Sequence, residues 1–351
     1  MTAMHPPPTR VTRAAPEDDG VWRQTVDSNQ LATVAHAPEW QSVVREAYGH
    51  EPLYLVAEDG EGMRGLLPAF IVRRPLFGTV VTSMPFLDTG GPCTSLPALA
   101  DALINRLIAE ARRVCARAVE LRCPTRLGLS ERPMESKLRL VLPLPADPDC
   151  LWRRLDKRRR NEIRKAERSG LSAEVGGVEK LASFYAAFAA RMRDLGSPVH
   201  ACGFLRSVME RFGSRARIVL VRKGTTPVGG LVAIAFKDAL VNPWAACLKE
   251  YFPLGANALL YWETLRLACR EGFCRFDFGR SSRGSGTHRF KQEFGAQEEP
   301  LSWYTIAMDA RGEPRLPGNG RTAAFFVESW RRLPLSLTCS LGPHVRRYLT
   351  Q

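Results

Sequence analysis

The strongest constraint on the fold is a pattern of apolar runs that occurs twice along the chain. In each copy, two strand-like runs flank a polar turn, at 52–73 and again at 218–237. Gly65-Leu66-Leu67 in the first copy matches Gly230-Leu231-Val232 in the second, an offset of 165 residues. Short apolar runs bounded by turn residues are typical of buried strands. The sequence therefore predicts an internal duplication.

The order of the flanking segments is also repeated. Helical sequence precedes each copy, at 36–48 and at 179–195 with 203–212. A third strand-like run, a long helix and a short strand then follow each copy, at 78–84, 96–115 and 119–123, and at 239–248, 257–270 and 274–278. This order predicts an α/β fold with mixed sheets flanked by helices. The predicted parts are a flexible tail at 1–20, domains at 21–147 and 148–310, and a basic tail at 311–351.

Composition excludes several classes of protein. The chain has 351 residues, which fits two domains, and 45% of them are hydrophobic. No apolar run approaches the ~18 residues that a membrane span needs, and the start has four prolines and no apolar signal segment. Nine cysteines without a C-x-x-C pair, together with scattered histidines, argue against a metal site. We therefore expect a cytoplasmic protein with reduced thiols and no metal.

Positive charge is concentrated in one segment. The chain carries a net charge of +14, and residues 151–170 contain nine basic and three acidic side chains. Helical periodicity places Arg159 in the middle of the apolar stripe of this segment, where it needs an anionic partner. A break in the helix near Asp156, a suitable N-cap, would relieve the same conflict. Such a cluster indicates an anionic partner, such as a phosphorylated substrate, tRNA or a membrane surface.

Two motifs resemble the signatures of the FemAB-like acyltransferases, which belong to the GNAT superfamily. The block LDKRRRNEIRKA at 155–166, ending in Gly170-Leu171, resembles the R-x-x-I-R-K-A…G-L signature. The run FDFGRS at 276–281, with its downstream glycines, Phe290-Lys291 and Phe294-Gly295, resembles the second signature. The spacing is similar to that of the subgroup associated with exosortase and exopolysaccharide loci.

This resemblance implies both a fold and an activity. The fold would be two tandem GNAT-like domains. The activity would be transfer of an acyl or aminoacyl group onto an amine of a cell-envelope or exopolysaccharide precursor. The donor would be acyl-CoA or aminoacyl-tRNA, and no metal would be required.

The resemblance also places the donor at the start of a helix. Free backbone N–H groups at a helix N-terminus bind phosphate, and the matching positions here are Gly255, Ala256 and Asn257. The family loop reads Q/R-x-x-G-x-G/A, whereas this chain has Phe252 at the first position and Asn257 at the last. The departure argues against tight CoA binding, and an aminoacyl-tRNA donor would not need the loop. The alternative is that Gly255 and Asn257 simply cap a helix.

Residues of the second motif are the candidates for catalysis. Asp277 would be a base or an anchor for the amine, unless it only pairs with Arg280 or accepts hydrogen bonds from the 284–286 loop. Arg280 and Lys291 flank a glycine-rich loop and would clamp a phosphate or carboxylate. No Ser-His-Asp order or reactive-cysteine context is present, which favours direct attack by a bound amine.

Six further residues are candidates for substrate binding. Arg159 and Lys165 belong to the basic block, and Ser281 and His288 belong to the second motif. Tyr261 and Trp262 would line an acyl or sugar pocket, although aromatic residues at helical spacing also occur in the core.

Two other functions remain open from the sequence. One keeps the fold but uses acyl-CoA to acylate a small amine or amino sugar. The other is a nucleic-acid-binding protein without enzymatic activity, which would use residues 151–170. In addition, aromatic and leucine residues beside arginines at 325–349 suit peripheral contact with the inner membrane, or packing against the core.

Overall fold

The computed structural model describes residues 9–14, 19–75, 77–308 and 321–350. These residues form two compact units. The first unit contains the described residues up to Glu135, together with 300–308 and 348–350, and the second contains Ser136–Glu299 and 321–347. Outside the described residues lie 1–8 and 15–18 of the predicted N-terminal tail, 309–310 at the end of the predicted second domain, and 311–320 at the start of the predicted basic tail.

The first unit is built on a six-stranded mixed sheet. Its strands are β1 (Arg10–Arg13), β2 (Glu51–Glu58), β3 (Arg64–Arg74), β4 (Gly78–Thr82), β5 (Ala118–Cys123) and β13 (Ser302–Ala307). They lie in the order β1-β2-β3-β4-β5-β13. β4 and β5 are parallel, and the other neighbours are antiparallel.

Helices cover both faces of this sheet. They are α1 (Asp19–Ser28), α2 (Glu39–Tyr48) and α3 (Pro97–Arg113), with one 3-10 turn at Val34–His36. Leu99, Leu103 and Leu107 of α3 are buried against one face of the sheet. On the other face, Trp22 of α1 contacts Tyr54 of β2, with ring centroids 4.7 Å apart. Alternate residues of the central strands thus pack into one of two apolar layers.

The second unit has a seven-stranded sheet. Its strands are β6 (Lys137–Pro143), β7 (Leu171–Gly176), β8 (Ala216–Lys223), β9 (Thr226–Phe236), β10 (Ala239–Cys247), β11 (Arg275–Ser282) and β12 (Gln297–Pro300). The order is β12-β6-β11-β10-β9-β8-β7. β10 and β11 are parallel. β6 is antiparallel to β11, and the neighbouring strands among β7, β8, β9 and β10 are antiparallel to each other.

Eight helices belong to the described part of this unit. They are α4 (Pro148–Arg154), α5 (Lys157–Arg168), α6 (Leu181–Leu195), α7 (Cys202–Phe212), α8 (Ala256–Arg270), α9 (Gly286–Gln292), α10 (Arg321–Arg332) and α11 (Leu335–Arg346). Three 3-10 turns lie at Val178–Lys180, Gly213–Arg215 and Lys249–Leu254. Leu151 of α4 and Ile163 of α5 are also buried in the core beneath α8. α6 packs on β9 and β10, and α10 and α11 both pack on α6. No helix in the described ranges is long and apolar enough to cross a bilayer.

The predicted α/β architecture is confirmed: each copy of the repeated pattern forms a mixed sheet with helices on both faces. The chain divides differently from the predicted boundaries, however. β6 pairs with β11 in the second sheet, whereas β13 pairs with β5 in the first, as Ser302 opposite Cys123 shows. In addition, Arg10–Arg13 of the predicted tail is paired with β2.

The basic segment 151–170 forms two helices, and the break between them includes Asp156. α4 ends at Arg154 and α5 begins at Lys157. The Asp156 carboxylate accepts a hydrogen bond from the Arg159 backbone N–H at 2.6 Å, which is N-cap geometry. The break rotates α5 relative to α4, so that Ile163 and Ala166 are buried in the core while most of the basic residues stay at the surface.

Candidate active site

The site begins where the two parallel strands of the second unit separate. β10 and β11 are paired only from Ala239 opposite Arg275 to Val241 opposite Asp277. Just beyond this point the register of β10 against β9 shifts, and so does the register of β11 against β6. Such irregularities bend strands apart. β10 then continues along β9 to Cys247, so a gap opens beside its last residues.

A cavity of about 900 Å³ lies at the end of β10. Its wall is formed by the end of β10, the 3-10 turn that follows, the first two turns of α8, one side of α5, the end of α6, and α9. The lining residues are Ala245, Ala246, Cys247, Phe252, Pro253, Gly255, Asn257, Ala258, Tyr261, Arg158, Arg159, Glu162, Lys165, Arg191, Leu195, Gly286, Thr287, Arg289, Phe290, Lys291 and Glu293.

Gly255 allows α5 to approach the start of α8 closely. It precedes the first residue of α8 and has a φ of +83°, in the left-handed region that glycine tolerates best. A β-carbon here would collide with the backbone carbonyl of Glu162 on α5. Gly255 and Asn257 both line the cavity, so the positive end of the α8 dipole faces its space. Ala256, between them, is fully buried and is not part of the lining.

The lining carries six basic and two acidic side chains. Both acids, Glu162 and Glu293, lie beside Arg158 and Arg159. The charges of the lining therefore do not cancel, and the cavity has a net positive charge that favours an anionic ligand.

Arg159 is the most buried of these cations, with 4% of its side chain exposed. Nη1 donates to Glu162 Oε2 at 2.5 Å and Nη2 donates to Glu293, while the guanidinium lies over the rings of Phe290 and Phe294 at 4.5 and 4.8 Å. The anionic partner predicted for Arg159 is thus present within the protein. Nε is buried and has no hydrogen-bond partner in the described chain.

Lys291 is also committed to structural contacts. Its side chain is buried, and Nζ donates to the carbonyl oxygens of Gly279 at 3.1 Å and Arg280 at 2.8 Å. These bonds tie α9 to the end of β11. Lys291 therefore lines the cavity, while its ammonium group holds the loop between the two elements.

Three cavity cations differ from these. Lys165 on α5, Arg191 on α6 and Arg289 on α9 form no ion pair with any residue that the structure describes. The guanidinium of Arg191 lies over the ring of Phe252 instead, with its central carbon 5.3 Å from the ring centroid. Phe252 itself is 41% exposed.

Asp277 is at the point where the parallel strands separate, but its carboxylate is already occupied. Oδ2 accepts from Arg139 Nε at 2.7 Å and Oδ1 accepts from the Gly279 backbone N–H at 2.8 Å. The partners are thus Arg139 of β6 and a backbone group, and neither Arg280 nor the 284–286 loop is bonded to it in the described structure. Asp277 is buried and does not line the cavity.

The other residues predicted from the second motif surround this point outside the cavity. The Arg280 and Ser281 side chains are not part of its lining, and Ser281 is buried with an Oγ that has no partner in the described chain. His288 accepts at Nδ1 from the Gly284 N–H at 3.1 Å. Its Nε2 therefore carries the proton and donates to Glu298 at 2.8 Å, so His288 links the 284–286 loop to Glu298.

The two predicted aromatic residues have different environments. Tyr261 lines the cavity, and its hydroxyl donates to Asn242 Oδ1 at 3.2 Å. Burial raises the pKa of the Tyr261 phenol, so it stays neutral and acts as a donor. Trp262 packs against Trp152 of α4, with ring centroids 4.8 Å apart, and belongs to the core.

Sequence reasoning did not single out Arg191, Arg289 or the two glutamates of the cavity as site residues. Arg289 is two positions before Lys291, so the second motif was the available signal for it. Arg191 had no such signal, because α6 brings it to Phe252 across 61 positions of sequence. Among the described residues, no group of three His, Cys, Asp or Glu side chains is placed to hold a metal ion.

Comparison with known proteins agrees with this geometry. Residues 153–292 match the family model of an acetyltransferase (GNAT) domain. The match runs from within α4 to the end of α9 and so includes the whole cavity apart from Glu293. No curated protein sequence matches the chain.

Solved structures share the fold at low sequence identity. The crystal structure of FemX is similar with a TM-score of 0.65, at 12% identity over 85% of this chain and 97% of its own. The C-terminal domain of a putative lysylphosphatidylglycerol synthetase from Agrobacterium fabrum gives 0.56, at 10% identity over 90% and 96%. A tandem GNAT protein from the clavulanic acid biosynthesis pathway gives 0.54, at 12% identity over 88% and 99%.

These likenesses extend over most of the chain and over nearly the whole of each solved structure. The predicted tandem GNAT-like fold is therefore confirmed, and the narrower resemblance to an exosortase-associated subgroup stays a prediction. The second unit therefore contains a segment that matches a GNAT acetyltransferase domain, and the chain as a whole has the fold of FemX and of a tandem GNAT protein.

Proposed function

We propose that the protein transfers an acyl or aminoacyl group from a phosphate-bearing donor to an amine of a cell-envelope or exopolysaccharide precursor. The donor would occupy the cavity of the second unit. The observation that carries this proposal is a set of three cavity cations around the start of α8, Lys165, Arg191 and Arg289, which form no ion pair with the part of the chain that the structure describes.

The cations favour an anion for a simple electrostatic reason. Positive side chains that surround one cavity repel each other, and a bound phosphate relieves that repulsion. The N-terminus of α8 adds a partial positive charge and backbone donors at the same place. Acyl-CoA and aminoacyl-tRNA both carry phosphates, so both fit this arrangement.

The basic helix α5 takes part in the cavity rather than forming a separate surface. Its Ile163 and Ala166 are buried in the core, while Arg158, Glu162 and Lys165 line the cavity. This placement favours an acyl donor as the anionic partner over an independent nucleic-acid-binding surface.

The chemistry that fits the cavity is direct attack by the acceptor amine. The amine nitrogen forms a bond to the acyl carbon, and the bond from that carbon to the donor's sulfur or oxygen breaks. The proton that the amine loses ends on the departing thiol or hydroxyl group. Cys247 is the one cysteine of the lining, and burial raises the pKa of its thiol to about 12. A thiol with that pKa is almost entirely protonated near neutral pH, which argues against a covalent acyl-enzyme. Asp277, Arg280 and Lys291 stay predicted catalytic residues.

The acceptor class rests on the sequence resemblance. One solved structure with the same fold carries the name of a lysylphosphatidylglycerol synthetase, an enzyme named for an aminoacylated lipid. That name supports an acceptor from the cell envelope for this chain as well. Acyl-CoA transfer to a small amine or amino sugar is the alternative for the same cavity.

Titration calorimetry with CoA and acetyl-CoA tests the donor site. Lys165→Ala removes a cation of the cavity, and Arg168→Ala removes one from the same helix that does not line it. We expect Lys165→Ala to weaken donor binding about fivefold, as loss of one phosphate contact would. Arg168→Ala should leave the affinity within a factor of about two.

A second titration separates the two donor classes. If CoA does not bind, charged tRNA takes its place in the same experiment with the same two variants. Binding of either donor that depends on Lys165 and not on Arg168 supports the proposal. Equal effects of the two substitutions, or binding of neither donor, contradict it.

We also propose a peripheral membrane contact through residues 325–349. Phe325, Phe326, Leu337 and Leu341 are exposed, with Phe325 at 75%, and the same two helices carry Arg331, Arg332 and Arg346. Exposed apolar side chains beside arginines suit the interface of an anionic bilayer.

Sedimentation with phosphatidylglycerol vesicles tests this contact. Phe325→Ser should lower the bound fraction, whereas Phe77→Ser, which removes an exposed phenylalanine from the first unit, should leave it unchanged. Binding that is equal for the two variants would contradict the proposal.

A further inference from the structure

Phe252 is the one aromatic side chain of the cavity with a large accessible surface. The other two aromatic residues of the lining are covered: Tyr261 stacks on Phe278 with ring centroids 5.3 Å apart, and Phe290 lies beneath the Arg159 guanidinium. Phe252 is 41% exposed instead, on the 3-10 turn Lys249–Leu254. An exposed phenyl ring inside a basic cavity is a surface on which a ligand can pack.

Arg191 gives this surface a second property. Its guanidinium lies over the Phe252 ring at 5.3 Å, and it forms no ion pair with the described residues. A guanidinium and a phenyl ring both stack on planar, electron-rich groups, and the guanidinium also attracts a neighbouring phosphate. The pair therefore fits a planar base attached to a phosphorylated sugar.

The position of Phe252 and Arg191 relative to the phosphate site limits which kinds of ligand could contact them. Phe252 precedes Gly255 by three residues, so the ring is next to the start of α8, where the donor's phosphates would bind. Leu195 and Pro253 line the cavity as well and add exposed apolar surface. A donor anchored at α8 would thus bring a base close to its phosphates within reach of the ring.

We propose that Phe252 and Arg191 form a stacking site for the adenine of the donor. Adenosine occurs both in CoA and at the 3′ end of tRNA, and the experiments below distinguish these two sources. The inference rests on the proposed donor site in the cavity. It assigns a role to the position at which this chain has phenylalanine in place of the family's Gln or Arg.

The test measures binding of two small probes. Adenosine 3′,5′-bisphosphate carries the base and phosphates, and inorganic pyrophosphate carries phosphates alone. Phe252→Leu keeps an apolar side chain and removes the ring, whereas Phe252→Tyr keeps the ring. Phe77→Leu, at an exposed phenylalanine of the first unit, is the matched control.

We expect Phe252→Leu to weaken binding of adenosine 3′,5′-bisphosphate about tenfold, which is the usual size of a base–aromatic stacking contribution. Phe252→Tyr and Phe77→Leu should bind it as the wild type does. Pyrophosphate should bind all four proteins within about a factor of two, because it has no base to stack. The same thermal midpoint in all four would show that the fold is unaffected.

Several outcomes separate this inference from the proposed donor site. If the wild type binds pyrophosphate and Phe252→Leu leaves the affinity for adenosine 3′,5′-bisphosphate unchanged, the stacking site is wrong and the donor site stands. If Phe252→Leu weakens both probes equally, Phe252 shapes the cavity without stacking, which also overturns the inference. If the wild type binds neither probe, the proposed donor site itself is wrong.

The natural source of the adenosine is decided by repeating the comparison with CoA and with an aminoacylated RNA minihelix that ends in adenosine. A loss of affinity in Phe252→Leu for one of them identifies that donor and supports the inference. An unchanged affinity for both would overturn it.

Discussion

The backbone carbonyl of Glu162 occupies the space into which a β-carbon on Gly255 would project. This contact lets α5, which carries Arg159 and Lys165, pack against the first turn of α8 at the edge of the cavity. Gly255 therefore has two separate requirements: a positive φ and the absence of a side chain.

Gly255→Ala should destabilise the protein more than a positive φ alone would explain. Gly272 is the matched control, because its φ is +80° and nothing lies within 4 Å of a β-carbon there. Left-handed backbone should cost alanine about 1–2 kcal/mol at either position. At Gly255 the collision with Glu162 should add about 1–3 kcal/mol. Urea midpoints of the two variants check this, and equal losses would show that the contact carries no strain.

Arg159→Met should lower the free energy of unfolding by about 2 kcal/mol, because it leaves two carboxylates without their buried partner. The loss should be smaller than for a fully buried pair, since Glu162 and Glu293 are each about one-third exposed. Arg158→Met is the control: its side chain is 73% exposed and contacts the same two carboxylates. It should cost about 0.5 kcal/mol or less. Urea denaturation of the two variants checks this. If Arg159→Met and Arg158→Met lose similar amounts of unfolding free energy, burial does not strengthen the contacts of Arg159.

The repeated strands could be predicted from sequence because their signal is local. Apolar runs around polar turns predicted β2 with β3 and β8 with β9, and helical periodicity predicted α3 and α8 to within a few residues. The register partner of β13 could not be predicted in this way. Tyr304 of β13 lies opposite Leu121, and nothing in either strand identifies a partner so distant in sequence.

The same distinction applies to the site. Arg159, Lys165 and Lys291 belong to continuous motifs, and all three line the cavity. Asp277 was also singled out, but its partner Arg139 is 138 positions away on β6, so the sequence offered only nearby alternatives. Arg191 reaches Phe252 through the packing of α6, and a single arginine on an amphipathic helix carries no signal of that contact.

Substitutions of Lys291 and Arg289, both on α9, should affect different properties: stability for Lys291 and ligand binding for Arg289. Lys291→Met removes the donor from the carbonyls of Gly279 and Arg280 and should lower the free energy of unfolding by about 2 kcal/mol. Arg289→Met should leave stability within about 0.5 kcal/mol, since Arg289 is an exposed residue. Pyrophosphate binding should instead weaken in Arg289→Met. The thermal midpoint and a pyrophosphate titration of each variant check both results, and loss of stability in Arg289→Met alone would reverse the assignment.

The buried thiol of Cys247 should make the protein less stable at alkaline pH. Burial raises the pKa of Cys247 from 9.0 to about 12. Above pH 9 the unfolded chain loses this proton while the folded chain keeps it, so stability should fall by about 1.4 kcal/mol per pH unit up to pH 12. Cys247→Ala removes this contribution, and Cys115→Ala, at an exposed cysteine, does not. We therefore expect urea midpoints of Cys247→Ala to fall less between pH 8 and pH 10 than those of the wild type and Cys115→Ala. Three parallel profiles would mean that the Cys247 thiol ionises as readily in the folded protein as in the unfolded chain.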